Sequence, residues 1–289
     1  MNVDKIDISV IIPMYNAEKY ISETINSVLS QQQHNFIFEI IVVNDCSTDE
    51  SLQIVRKIND NRIKIFDLEK NVGLSEARNT GIRNANGIWI EFLDSDDKIR
   101  SDLFNKFEMT LDEEHNVFMF SIINEFKNYN LIQKTTKIRD KRSISHFGIV
   151  MKFFIKRNIC IFFEPGYLHE DIIFSFEMIR NGNFKIKLIE DAYYYYNRKN
   201  ENSITANFKI NEYVKMYEYI FNRVDKCDKL TKMFVLETFV GILKSNLIPK
   251  KISIFIAIKT IFKLYKYLPD VIFNGIRRDR FEKSFSTSQ

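Results

Sequence analysis

The sequence predicts an α/β chain in which helices flank a mostly parallel sheet and a helical C-terminal extension follows. Three observations carry this. Over the first hundred residues, short β-branched runs alternate with helical segments in the order β-α-β-α-β-α-β. The first run, ISVII, reads as a buried strand, as a parallel sheet covered by helices on both faces requires. Beyond about residue 207 the chain is rich in Lys, Tyr, Phe and Ile and poor in Gly and Pro, a helical composition.

ISVII (8–12) is the first expected strand, and the helix after it runs from Ala17 to Gln31. FEIIVV (38–43) is the second strand. Ser47 and Glu50 then have capping-box spacing, which predicts that the next helix starts there. RIKIFDL (62–68) is the third strand, Ser75 to Asn84 the third helix and IWIEFL (88–93) the fourth strand. Gly73 and Gly81 are expected to serve backbone turns. Trp89, on an apolar strand, belongs to the core. NVFMFS (116–121) and FKIKLI (184–189) are strand-like, Ile144 to Ile155 reads as an apolar helix, and His169 to Arg180 as another. The domain boundary is expected between 205 and 210, separating an α/β domain of residues 1–206 from a helical extension of residues 207–289.

Composition excludes several classes. At 289 residues the chain can bury a substantial core, and 45% hydrophobic with 28% charged content is that of a soluble globular protein. A net charge of +4 is too mild to imply nucleic acid. Cys46, Cys160 and Cys227 stand far apart, so reduced thiols are expected, and the four histidines are too scattered for a histidine-rich metal site. The N-terminus shows no signal-peptide pattern, and no segment reaches the ~18–20 uninterrupted apolar residues of a membrane span. A cytoplasmic chain is therefore expected. Neither GxGxxG nor GxxxxGK[ST] occurs, which disfavours a dehydrogenase or a P-loop NTPase.

In an open parallel sheet, ligands bind beyond the carboxyl ends of the strands. Three polar clusters follow three predicted strands at that edge: Pro13-Met14-Tyr15-Asn16, Asn44-Asp45 and Asp94-Ser95-Asp96-Asp97. Tyr15 can offer a ring face to a base, and Asp45 can accept hydrogen bonds from the base's N–H edge. Asp94 and Asp96 are hard oxygen ligands suited to Mg²⁺ or Mn²⁺, with diphosphate oxygens completing the shell. The acidic run is not an EF-hand, because Lys98 and Ile99 fill positions that need a ligand and a glycine.

SVIIPMYNAEKYI, EIIVVNDCSTDES, NVGLSEARNTGI and IWIEFLDSDD, in this order and spacing, resemble the family-2 inverting glycosyltransferases of GT-A (Rossmann-like) fold over residues 7–205. The resemblance implies that Tyr15 and Asp45 hold the uracil of a UDP-sugar and that Arg78 contacts the nucleotide. It implies that Asp94 and Asp96 bind ribose and metal, with Asp96 the direct ligand. Pro13, Glu18 and Ser95 join this nucleotide-sugar set. Many members have Gly where Cys46 stands here, and both residues are small. GYLHEDIIFSFEMI resembles the family's ED motif, which makes Asp171 the base, with Glu170 as the alternative or as an acceptor-orienting group. His169 is a modulating neighbour. In YYYYNRKNENSIT (193–205), Arg198 matches a residue near the donor, where it would contact diphosphate or acceptor; a solvated Arg is the other reading. The implied reaction adds one sugar at a time to a glycan acceptor, such as a polyprenyl-diphosphate-linked one in bacterial surface-polysaccharide assembly. A sugar-nucleotide pyrophosphorylase would need a Gly-rich loop where PMYNAEKY stands; a catalytically silent binding module would lack the metal acids or the base.

In KKISIFIAIKTIFKLYKYL, a helical winding places Lys251, Lys259, Lys263 and Lys266 within about a 120° arc. Arg277, Arg278 and Arg280 follow. Such a helix over residues 250–280 either lies on the anionic cytoplasmic face of the inner membrane or packs on the catalytic domain with its lysines in water.

Overall fold

The structure is a computed structural model of the full chain, and it describes residues 5–127, 130–133, 153–182, 185–200 and 210–224. The chain divides into two compact units. The described part of the first holds nine strands and four α-helices. That of the second holds α5 (Glu170–Asn181) and α6 (Ile210–Val224), so α5 groups with the chain from residue 207 onward.

In the first unit, β1 (Ile8–Met14), β2 (Phe38–Asn44), β3 (Ile63–Asp67) and β4 (Trp89–Phe92) form the parallel half of one sheet in the order β3-β2-β1-β4. Every residue of β1, β2 and β4 is buried, which is why these strands are predominantly apolar. Pro13 sits on β1 beyond the four residues, Ile8–Ile11, that β4 pairs with. Its missing N–H therefore falls outside that ladder.

The sheet continues with β8 (Phe153–Lys156), β6 (Val117–Glu125), β9 (Ile186–Asn197) and β5 (Lys98–Ile99), and β7 (Asn130–Gln133) pairs with β6. Here parallel and antiparallel pairs mix: β6 runs parallel to β9, while β4–β8, β6–β8, β6–β7 and β5–β9 are antiparallel. The segment expected as a helix up to Ile155 thus ends in a strand, β8; residues 134–152 lie outside the described part. The basic run 250–280 also lies outside it. Among the described residues, no helix is long and apolar enough to cross a membrane.

Helices α1 (Ile21–Leu29), α2 (Ser51–Lys57), α3 (Leu74–Asn84) and α4 (Leu103–Thr110) complete this unit. α3 packs on β1 so closely that a Cβ on Gly81 would lie 2.3 Å from Ile11 Cγ2. Gly81 therefore serves close helix–strand approach, not the turn its sequence context suggested. Gly73, with φ +86°, does occupy a turn, at the start of α3. The opposite face carries α4, whose Phe107 stacks on Phe154 (centroids 4.1 Å) and meets the edge of Trp89. Trp89 is core, 4% exposed.

Two helices begin later than their sequences suggest, for one reason. The N–H groups of Asn16, Ala17 and Glu18 donate to Ser47 Oγ, Ser51 Oγ and Asp49 Oδ2. Donors satisfied by the next loop have no need of a helical turn, and α1 starts at Ile21 rather than Ala17. Ser47 is spent on Asn16, so the Ser47/Glu50 capping box does not form. Asp49 accepts the Ser51 N–H instead, at 3.0 Å, and α2 opens there.

One core position conflicts with its surroundings. Glu91 on β4 is wholly buried beside Val10, and neither carboxyl oxygen has a hydrogen-bond partner among the described residues. Burial pushes its pKa well above the usual carboxylate range. The unfolded chain ionises this group near pH 4.5, whereas the folded chain holds it neutral to a higher pH. Stability therefore falls as pH rises from the unfolded pKa toward the folded one. Glu91→Leu is expected to stabilise the chain by about 1–3 kcal/mol at neutral pH. The gain in urea unfolding should be larger at pH 8 than at pH 5; a pH-independent difference would contradict the assignment.

Candidate functional site

The carboxyl ends of β1, β2 and β4 are neighbours in the sheet, and the three polar clusters emerge there. Tyr15 follows β1 directly and is 50% exposed, so its ring is open to a ligand. Asn16, with φ +49°, turns the chain away and accepts the Thr48 N–H at 2.8 Å, tying this loop to the one after β2. Glu18 belongs to the same tie: its Oε2 accepts the Glu50 N–H at 3.1 Å.

After β2, Asn44 bridges to Asp67 and to the Ser47 N–H. Asp45 is 3% exposed and grips the turn before α3, accepting Val72 N–H on Oδ1 (2.6 Å) and Gly73 N–H on Oδ2 (2.9 Å). One such bond per oxygen leaves each a further acceptor site, so Asp45 can still receive an N–H from a base. Cys46 has φ +60°. What suits glycine to this position is backbone conformation and not only small size. Cys46 and Cys160 are free thiols.

The acidic run closes a turn, with Asp97 N–H donating to the Asp94 carbonyl at 3.1 Å. Its three carboxylates have different surroundings. Asp94 is paired at 2.8 Å with Arg78, which is 1% exposed and lies over the Phe163 ring. The polar helix α3 thus carries a buried guanidinium whose partner is the acidic run. Asp97 is buried with both oxygens engaged, by the Tyr194 hydroxyl (2.6 Å) and the Asn197 N–H (2.7 Å). Burial, with Asp96 and Asp94 close by, pushes its pKa well up. Asp96 is partly buried, and burial also raises its pKa, with Asp94 adding to the effect. Its Oδ2 accepts from Asn200 Nδ2 at 2.7 Å. Ser95 offers its carbonyl to Thr24 Oγ1 at 3.0 Å, bracing the run from α1.

Tyr194, Asn197 and Asn200 were not foreseen as site residues. They recur every third position, and they meet the acidic run because β5, immediately after it, pairs antiparallel with β9 through Lys98↔Tyr195 and Ile99↔Tyr194. The repeat carries no signal until that pairing is known. Arg198 is exposed at the end of β9, with Nε donating to Asn124 Oδ1 (3.0 Å) and its guanidinium over the Tyr196 ring at 4.1 Å. Asn79 of α3 fixes the Phe163 backbone from both sides, accepting its N–H at 2.7 Å and donating to its carbonyl at 2.9 Å.

Among the described residues no three His, Cys, Asp or Glu side chains form a ready metal cage. The donor set nevertheless fits a hard divalent cation. Asp94 and Asp96 present oxygen only, and Mg²⁺-type sites use one or two carboxylates, with substrate phosphates and water completing the shell.

In the second unit, Glu170 and Asp171 open α5 (Glu170–Asn181), where the helix N-terminus favours negative charge. His169, just before them, packs against Tyr213 of α6 (Ile210–Val224) with the rings tilted by 31° and their centroids 3.9 Å apart, and burial lowers its pKa. Burial and the charge of Asp171 raise the Tyr213 phenol. The far end of α5 is tied to α6 by Tyr219, whose hydroxyl donates to Glu177 at 3.2 Å.

Residues 9–183 match the family described as "Glycosyl transferase family 2". The chain is 33% identical over 205 residues to the poly(ribitol-phosphate) beta-N-acetylglucosaminyltransferase TarS of Staphylococcus aureus, covering 67% of this chain and 36% of TarS. It thus spans about a third of that relative's length. An uncharacterized glycosyltransferase of Haemophilus influenzae is 33% identical over 181 residues, 60% of this chain and 72% of that one. The crystal structure of S. aureus TarS 1–349 in complex with UDP-GlcNAc superposes with a TM-score of 0.76 at 24% identity, covering 92% of this chain and 82% of that one. Mannosyltransferase PcManGT from Pyrobaculum calidifontis, in complex with GDP-Man and Mn²⁺, gives 0.59 at 16%, covering 95% and 87%. These two likenesses bear on the fold, which is the GT-A arrangement expected from the sequence. With the family match running from β1 through α5, the chain belongs to glycosyl transferase family 2.

Proposed function

We propose that the chain transfers one sugar, with inversion, from a UDP-sugar to a glycan or lipid-linked glycan acceptor in the assembly of a bacterial surface polysaccharide. The observation that carries this is the convergence of Tyr15, Asp45 and the acidic run at adjacent strand ends. Tyr15 stacks on the uracil and Asp45 accepts from its N–H edge. Arg78 acts through Asp94, holding that carboxylate toward the ribose and metal. Asp96 and Asp94 are the ligands for Mg²⁺ or Mn²⁺, Asp96 being the direct one. A cation bound there supplies a Lewis acid that neutralises charge on the departing diphosphate. Pro13, Glu18 and Ser95 shape the pocket wall, and exposed Arg198 faces the diphosphate or the acceptor.

The displacement is a single step. The acceptor hydroxyl oxygen forms a bond to the anomeric carbon as the bond from that carbon to the diphosphate oxygen breaks, and UDP leaves with the electron pair. The hydroxyl proton passes to the Asp171 carboxylate, and Glu170 orients the acceptor. A retaining hydrolase's second carboxylate is not needed. The surface-polysaccharide setting draws on relatives named for such pathways, among them the putative teichuronic acid biosynthesis glycosyltransferase TuaG of Bacillus subtilis. The UDP assignment draws on Tyr15 and Asp45, and on TarS having been crystallised with UDP-GlcNAc and with UDP.

Titration of the protein with UDP, GDP and TDP tests the donor. UDP should bind tightest, and Tyr15→Ala should weaken it about tenfold, given ~1–3 kcal/mol for base stacking. Equal affinity for GDP, or no loss in Tyr15→Ala, would remove the UDP assignment.

A further inference from the structure

Three donors spaced every third residue reach the acidic run from β9 and the turn after it, and they do not share one task. The Tyr194 hydroxyl and the Asn197 N–H both serve Asp97, which they hold buried inside the loop. Asn200 instead meets Asp96, the carboxylate assigned to the metal, through a 2.7 Å bond from Nδ2 to Oδ2. A neutral amide cannot compensate the charge of Asp96, so it is no substitute for a cation. It can, however, fix the carboxylate's orientation through one of its two oxygens.

We propose that Asn200 is a positioning residue for the metal ligand: its carboxamide holds Asp96 Oδ2 and thereby presents Oδ1 to the cation. The proposal rests on the reading of Asp96 given above. Outer hydrogen bonds of this kind orient a ligand before the metal arrives, and their loss typically costs ~10–100-fold in metal affinity. Asn200 stands beyond the family match, which ends at residue 183. The donor domain would then draw part of its metal affinity from the turn that follows the last strand of its sheet.

The test is Mn²⁺ affinity of the full chain with UDP saturating, read from the electron paramagnetic resonance of free Mn²⁺. Asn200→Ala, and Asn200→Leu, which keeps the bulk without the donor, should each weaken Mn²⁺ about 10–100-fold. UDP affinity in chelator and the urea unfolding midpoint should stay at wild-type values, which a merely structural residue would not permit. Unchanged Mn²⁺ affinity in both variants, with binding abolished in Asp96→Ala, would overturn the role of Asn200 and leave the metal reading intact. Tighter Mn²⁺ binding would also overturn it, because the amide would then be a competitor for the same oxygen. Wild-type Mn²⁺ affinity in Asp96→Ala would remove the metal reading itself, and this inference with it.

Discussion

Asp171→Asn is expected to lower the rate of sugar transfer by about 10²–10⁴-fold, the range for a lost general base, while UDP affinity stays unchanged. The variant keeps the shape of the side chain and its hydrogen-bonding reach but cannot take the acceptor proton. The prediction is demanding because α5 gives Asp171 an ordinary alternative explanation. A pair of carboxylates in the first turn of a helix, as Glu170 and Asp171 are, is stabilised by the helix dipole whether or not either performs chemistry. A helix-stabilising role would show in the unfolding midpoint and not in turnover. Pre-steady-state transfer in Asp171→Asn, with Glu170→Gln beside it, separates the cases. Wild-type turnover in Asp171→Asn together with loss in Glu170→Gln would move the base to Glu170. The surroundings of this turn also come partly from beyond the family match: Tyr213 of α6 lies within electrostatic reach of Asp171 and packs against the His169 ring. The start of the C-terminal extension therefore packs on the helix that carries the proposed base.

Much of the first hundred residues was legible because buried parallel strands write themselves as predominantly apolar runs, and β1, β2 and β4 are buried at every residue. Helix starts were less legible. Those of α1 and α2 depend on which side chains of a neighbouring loop capture the first N–H groups, a tertiary matter that residues 16–18 and 47–51 settle between them. The second half of the sheet was hidden for a similar reason. Its strands pair in both directions across long separations, and local periodicity near Ile155 resembles that of a helix. Within the site, Tyr15, Asp45 and the acidic run stood out because each follows a strand. Arg78 did not stand out by itself, since a polar helix conceals a buried cation until its partner Asp94 is placed. Tyr194, Asn197 and Asn200 needed the β5–β9 pairing before their spacing meant anything.

The acidic run carries the second large effect. Asp96→Ala should reduce transfer about 10³-fold, which corresponds to about 4 kcal/mol of transition-state stabilisation. Asp97→Ala should instead act through stability, because both Asp97 oxygens are tied to β9. The pyrophosphorylase alternative gives way to the family assignment, and the central claim to test, against a catalytically silent module, is metal-assisted transfer at Asp96. The most direct measurement incubates purified protein with a panel of labelled nucleotide sugars and a lipid-diphosphate-sugar acceptor, with Mn²⁺ or with EDTA, for the wild type and Asp96→Ala. Transfer from a UDP-sugar that EDTA abolishes, excess Mn²⁺ restores and Asp96→Ala lacks is the predicted result. Transfer that survives EDTA, or persists undiminished in Asp96→Ala, would contradict it.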